Sequence, residues 1–325
     1  MEKIGNNLPK SFEWVNRLKK YSGNPIIRPQ GKWAADLIFN PAAIVKDDEV
    51  RLLCRCVNLK EKRRDKSWSV SSLVWARSKD GINFTLDDEP LFYSDENCKY
   101  EGGFEDPRIV YIPEEKLYLL TYTGVSFEKD GTLNAPGLLA VSKDLDNWEL
   151  LGEKFPSRAV CIIDRKINGK YWGYYDNTNK YITWSEDLIN WHFEKQTLIE
   201  KRDGYFDECV CEGACPPIWS EEGILFIYNG ACGIEATKKY APETFGTACY
   251  AYPGMYSTGW VLIDKDDPTK VISRCEKPFL IPYEGYECYG FVNFTIFSGG
   301  HVEFKGKHYL YYGACDNKIC VAVAD

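Results

Sequence analysis

Lys116-Leu117-Tyr118-Leu119-Leu120-Thr121-Tyr122 reads as a short aromatic-aliphatic strand, and the chain keeps returning to it. Val50-Arg51-Leu52-Leu53-Cys54-Arg55, Lys170-Tyr171-Trp172-Gly173-Tyr174-Tyr175, Gly223-Ile224-Leu225-Phe226-Ile227-Tyr228 and His308-Tyr309-Leu310-Tyr311-Tyr312-Gly313 repeat the pattern. Three copies are followed by a second echo: Ser78-Lys79-Asp80-Gly81-Ile82-Asn83-Phe84, Ser142-Lys143-Asp144-Leu145-Asp146-Asn147-Trp148 and Ser185-Glu186-Asp187-Leu188-Ile189-Asn190-Trp191. Each reads as a strand end, a tight polar turn and an aromatic plug. Repeats of roughly 40 to 60 residues built from short strands suit a radial β architecture, because a small sheet buries both faces only by stacking on its neighbours. The expected fold class is all-β, a five-bladed β-propeller.

The repeats run through nearly all of the 325 residues without a Ser/Gly-rich linker, so 1–325 is expected to be one domain, with 1–23 as an N-terminal extension packed on it. Aromatics make up 15% of the chain, with 22 Tyr, which suits strand faces and sugar-stacking surfaces. The one helix expected is Ser11 to Tyr21, where Phe12, Val15 and Leu18 fall three apart after Pro9. A net charge of −8 argues against nucleic acid or an anionic membrane as partner, and the basic run Lys60 to Arg64 with Lys66 reads as a solvated loop. No stretch approaches the roughly 18 apolar residues of a membrane span, and no apolar signal segment opens the chain, so a cytoplasmic location is expected.

Thirteen cysteines in a chain this long read as buried reduced thiols rather than a disulfide framework. The pairs Cys54/Cys56 and Cys209/Cys211 place two thiols on one strand face without a second pair at zinc spacing, and there are only three His. No metal and no cofactor are expected.

In a propeller the inner strands face one central mouth, so polar residues at blade starts are the place to look for chemistry. Phe39-Asn40-Pro41, Phe104-Glu105-Asp106-Pro107-Arg108, Cys161-Ile162-Ile163-Asp164-Arg165, Cys211-Glu212-Gly213 and Phe291-Val292-Asn293 stand at those starts. Asp106 and Arg108 also read as a structural ion pair, since charges on a buried strand need partners. Glu212, on another blade, adds a second carboxylate. Two carboxyls facing one cavity are what glycosidic bond cleavage requires: one to protonate the leaving oxygen, one to activate water.

Phe39-Asn40-Pro41, Glu105-Asp106-Pro107-Arg108, Lys166-Ile167-Asn168-Gly169-Lys170-Tyr171, Ser185–Trp191, Asp266-Asp267-Pro268-Thr269-Lys270 and Tyr311-Tyr312-Gly313-Ala314-Cys315-Asp316, in this order, resemble glycoside hydrolase family 130. The resemblance runs from about Asn24 to Asp325. The family contains β-mannoside phosphorylases and β-1,2-mannosidases on a five-bladed propeller. It implies that Asp106 is the general acid, acting directly or through a sugar hydroxyl, and that Asn40, Arg55 and Asp316 hold the mannose ring. Ordinary roles compete: a turn residue before Pro41, a strand-edge charge and a turn residue after Gly313.

Phosphorylases of the family carry Tyr-His-Gly where this chain has Tyr228-Asn229-Gly230, Asn-Arg where it has Tyr175-Asp176, and a Lys-Ile-Gly-Ala-Gly-type entry where it has Val210-Cys211-Glu212-Gly213-Ala214. A phosphate cradle needs cations, so these replacements favour water as the acceptor and Glu212 as its base. Glu208 and Glu287 are reserves for that role. A salt bridge to a nearby Arg or Lys is the structural alternative for Glu212. Glu105, Arg108, Asp176, Tyr228, Asn229 and Glu287 complete the expected substrate-binding set. The sequence therefore points to an inverting β-mannosidase on short, β-1,2-linked oligosaccharides, with acid and base roughly 6.5 to 9.5 Å apart. A mannoside phosphorylase is the alternative, and a non-catalytic sugar-binding propeller is a third. The partner expected is the β-mannoside oligosaccharide, with no nucleic acid and no membrane, and the sequence leaves the oligomeric state open.

Overall fold

The computed structural model describes residues 3–4, 8–63, 68–240 and 254–325. These form an all-β, propeller-like arrangement of four hydrogen-bonded sheets. The largest joins two antiparallel meanders. The strands Leu37–Lys46, Glu49–Arg63 and Trp68–Ser78 make the first, and Gly103–Ile112, Leu117–Phe127, Gly137–Ser142 and Glu149–Phe155 make the second. One parallel pair, Ser71 with Gly103, connects them. Gly103 has φ +87°, and a Cβ there would lie inside the Ser71 carbonyl, so only glycine fits this approach. A four-stranded sheet follows: Cys161–Ile167, Lys170–Tyr175, Lys180–Ser185 and His192–Ile199. The next contains Val210–Gly213, Gly223–Cys232, Met255–Ile263 and Val271–Arg274, and the last contains Ile296–Phe304, Lys307–Ala314 and Lys318–Ala324.

The N-terminal segment does more than pack on this framework. Lys19–Lys20 adds a strand to the last sheet by pairing with Ala322 and Val323, and Lys3–Ile4 pairs in parallel with Ser273 and Arg274. The helix expected over Ser11–Tyr21 is accordingly cut short. A 3-10 turn at Lys10–Phe12 and one helical turn at Trp14–Arg17 are all that form. Phe12, Trp14 and Val15 are buried, and Leu18 turns to ψ 128°, releasing the next residues into the sheet. Sheet hydrogen bonds outcompete further helix because so short a helix gains little from its own ladder.

The basic run is likewise not a loop where it is described: Lys60–Arg63 ends the long Glu49–Arg63 strand, while Arg64 and Lys66 lie outside the described residues. Of the twelve cysteines described as free, ten are buried. Cys54 and Cys56 share the core face, but Cys209 precedes its strand and is exposed while Cys211 is buried, so that pair does not share one.

The second echo has a physical cause. Ser78, Ser142 and Ser185 accept from the backbone N–H groups of Gly81, Leu145 and Leu188, each at 2.9 Å. Asp80, Asp144 and Asp187 each accept two backbone N–H groups and the amide of Asn83, Asn147 or Asn190. These bonds hold all three aspartates well below the usual carboxylate range. The third residue of each turn is left-handed, with φ 78° at Gly81, 67° at Leu145 and 65° at Leu188. Trp148 and Trp191 then close their turns by donating Nε1–H to the Leu145 and Leu188 carbonyls.

Between sheets, Tyr174, Phe226 and Tyr312, from three different sheets, meet in one buried cluster. Each such ring contributes about 1.5–3 kcal/mol by leaving water.

Candidate active site

Asn40 and Asp106 each stand at a bulge in the first strand of a meander. Pairing with the neighbouring strand skips from Phe39 to Ala42 and from Glu105 to Arg108. Both residues are left-handed, with φ 44° and 47°, and both precede proline. Asn and Asp tolerate this region better than most residues, and a bulge re-aims the side chain it carries. The result is convergence: Asn40 Nδ2 donates to Asp106 Oδ1 at 2.9 Å, although the two lie on different meanders.

A cavity of about 430 Å³ opens here. Its polar wall includes Asn40, Arg55, Glu105, Asp106, Arg158, Asn177, Glu212, Tyr256 and Asp316. Two guanidiniums bridge the paired carboxylates. Arg55 donates to Asp106 Oδ1 at 3.2 Å and to Glu105 Oε1 at 2.5 Å, while Arg158 Nη2 reaches Glu105 Oε2 at 2.6 Å and Asp106 Oδ2 at 2.9 Å. Arg108 lies behind, donating to the Asp106 carbonyl at 2.7 Å, to the Gly213 carbonyl at 2.6 and 2.9 Å, and to Glu212 at 3.4 Å.

This wiring separates the acids. Burial alone would lift the Asp106 pKa, but Arg55, Arg158 and Arg108 outweigh it and hold the carboxyl well below the usual range. Burial raises Glu212, with Arg108 and Arg158 only partly opposing. Burial also pushes Asp316 up to about 7, against Arg55 and helped by the charges of Asp106, Glu105 and Glu212. Asp106 is therefore ionised, while Glu212 and Asp316 hold protons more readily than ordinary carboxyls. The ordering is the reverse of a resting acid at Asp106 and a resting base at Glu212.

Other expected residues lie elsewhere. Tyr228 is fully buried and donates to Asp207 at 2.6 Å while accepting from Arg274 at 3.1 Å. Asn229 joins two sheets, donating to the Ser298 carbonyl at 2.8 Å and accepting from its N–H at 2.9 Å. Glu287 is fully buried against Lys20 and Tyr312, at 2.5 and 2.8 Å. Glu208 accepts from the backbone of Gly204 and Gly233 at 3.0 and 2.7 Å. None of these four lines the cavity. Asp176 sits beside it, with its carboxylate turned onto Asn177 N and Thr178 N at 2.6 and 2.8 Å.

Sequence reasoning missed Arg158, Asn177 and Tyr256. Arg158 had a readable signal, a lone arginine just ahead of the apolar run Ala159–Ile163 that leads into a strand.

The profile of glycoside hydrolase family 130, described as β-1,4-mannooligosaccharide phosphorylase, matches residues 9–325. The chain belongs to this family. It is 34% identical to a β-1,2-mannobiose phosphorylase and 32% identical to a 1,2-β-oligomannan phosphorylase, both of Thermoanaerobacter sp. strain X514; each match covers 95% of this chain and 97% of the relative. Among solved structures it resembles one reported with family 130 hydrolases that target β-1,2 mannosidic linkages in Candida mannan, at TM-score 0.84 and 29% identity, covering 98% of this chain and 96% of that one. The β-1,2-mannobiose phosphorylase of Listeria innocua in complex with β-1,2-mannobiose matches at TM-score 0.77 and 27% identity, over 95% and 96% of the two chains.

Proposed function

We propose that this chain cleaves β-1,2-linked mannosides by phosphorolysis, releasing mannose 1-phosphate with inversion. The observation that carries this reading is the pair of guanidiniums, Arg55 and Arg158, on the cavity wall. It replaces the hydrolase expected from sequence, for two reasons. The curated relatives named above are phosphorylases. And of the three replacements that suggested a lost phosphate cradle, Asn229 does not line the cavity and the Asp176 carboxylate is spent on its own turn.

Glu212 does face the cavity, yet its raised pKa and that of Asp316 let both take up protons as an anion enters. Phosphate attacks the anomeric carbon from the face opposite the leaving sugar, and the bond to the leaving oxygen breaks. Asp106, protonated in the complex, gives its proton to this oxygen through a hydroxyl of the bound sugar, so that the acid can lie on the phosphate side while the leaving oxygen departs on the other. A phosphate that engages Arg55 and Arg158 relieves their hold on Asp106 and adds negative charge beside it, so the carboxyl rises toward a value at which it carries the proton. Asn40 and Asp316 orient the mannose ring, and Arg55, expected there from the resemblance, serves the phosphate instead.

Hydrolysis is the second reading, favoured by Glu212 as a second carboxyl on the cavity wall and by the likeness to the Candida mannan structure. The rate of β-1,2-mannobiose consumption against phosphate concentration tests the choice. Saturable dependence supports phosphorolysis; a rate unchanged without phosphate supports water.

The architecture is read as five blades in one domain over 1–325. The largest sheet counts as two blades because a single parallel pair joins its two meanders.

A further inference from the structure

Lys180 opens the Lys180–Ser185 strand and is fully buried. A buried ammonium is costly unless its donors are used, and a strand position of this kind ordinarily takes an apolar side chain. Lys180 makes no ion pair among the described residues. Its Nζ donates instead to two main-chain carbonyls, that of Ala159 at 3.0 Å and that of Asp176.

Those carbonyls belong to unusual residues. Ala159 and Asp176 are both left-handed, with φ 59° and 79°, a backbone region that an alanine in particular rarely adopts. Each adjoins a cavity residue: Arg158 precedes Ala159, and Asn177 follows Asp176. A third bond closes the unit, from Asp176 N to the Arg158 carbonyl at 2.8 Å. The Asn177 carbonyl then accepts from Cys211 N at 3.2 Å, next to Glu212. The ammonium thus sits at the crossing of the two backbone turns that present Arg158 and Asn177.

We propose that Lys180 is a positioning residue, a buried clamp that fixes the 158–159 and 176–177 turns so that the Arg158 guanidinium bridges Glu105 and Asp106. It acts through Arg158 and touches no substrate. A side chain with no donor would leave two buried carbonyls unpaired and let both turns relax from their left-handed conformation. Arg158 would lose its aim, and displacements of about 1 Å in such a group cost about a hundredfold in rate.

The claim rests on the β-mannoside-cleaving reading of the cavity. Its test is a double-mutant cycle on β-1,2-mannobiose with phosphate. Lys180→Met is expected to lower kcat/KM about a hundredfold, and Lys180→Gln, which keeps an amide donor, to lose less. In an Arg158→Ala background Lys180→Met should cost less than about threefold, because its target is gone. An equal loss in both backgrounds, or native kcat/KM in Lys180→Met, overturns the proposal. If Lys180→Met does not fold, the same comparison is made with Lys180→Gln. If the native protein turns over no β-mannoside with phosphate or with water, the functional reading fails. The clamp is then judged from the crystal structure of Lys180→Gln: Arg158 withdrawn from Asp106 supports it, and Arg158 unmoved overturns it.

Discussion

Asp316→Asn should make the protein more stable at about pH 8 while impairing its activity. Asp316 borders the cavity with its carboxyl pushed from 3.8 to about 7, chiefly by burial. Between these values the folded chain holds a proton that the unfolded chain has released, so stability falls as pH rises across the window. An ionised Asp316 would cost the fold about 4 kcal/mol if the whole difference were expressed. The open cavity screens the group, which reduces the figure to about 2 kcal/mol. Asparagine stays neutral throughout and avoids the loss. For a chain of this length about 2 kcal/mol corresponds to a rise of about 3 °C in Tm. Calorimetry of both proteins at about pH 8 and about pH 4 reads it directly: the variant should lead at the higher pH and match the native protein at the lower. A variant less stable at pH 8, or one with the same advantage at both, would refute the electrostatic argument.

Three further outcomes are expected. Asp106→Asn should keep the fold and lose more than about a hundredfold in kcat, since the amide delivers no proton; near-native turnover in steady-state kinetics would return Asp106 to a structural role. Asn229→Leu should cost about 2–4 kcal/mol by leaving the Ser298 N–H and carbonyl unpaired, with KM for phosphate unchanged; a large rise in that KM would place Asn229 in the phosphate site after all. Phosphate binding measured by calorimetry in buffers of different ionisation enthalpy should show net proton uptake near neutral pH, from Glu212 and Asp316; its absence would remove the argument that these acids accommodate an anion.

The all-β class was legible because its signals are local. The Ser-x-Asp-x-x-Asn turns and the aromatic strands state their own geometry, whereas the bulges at Asn40 and Asp106 appear only in the strand register. Asn40, Arg55, Glu105, Asp106, Glu212 and Asp316, all singled out in the sequence, do line one cavity, most of them from strands or strand bulges near its mouth. Asn229 belongs to such a strand too, paired directly with Glu212. Yet it is taken up by Ser298 on the adjoining sheet, and a contact between sheets has no trace in sequence spacing. Glu287 was misread for the same reason, its partner Lys20 lying 267 residues away. Lys180 was invisible because a lysine at a strand start ordinarily faces water. Only the packed structure shows that this one is buried and bonded to two carbonyls.

The most direct test of the central claim is to follow the purified protein on β-1,2-mannobiose by ³¹P and ¹H NMR in phosphate buffer. The account predicts α-mannose 1-phosphate and free mannose in equal amounts from the first turnovers, with no reaction when phosphate is left out. Free mannose as the sole product, at the same rate with and without phosphate, would contradict it.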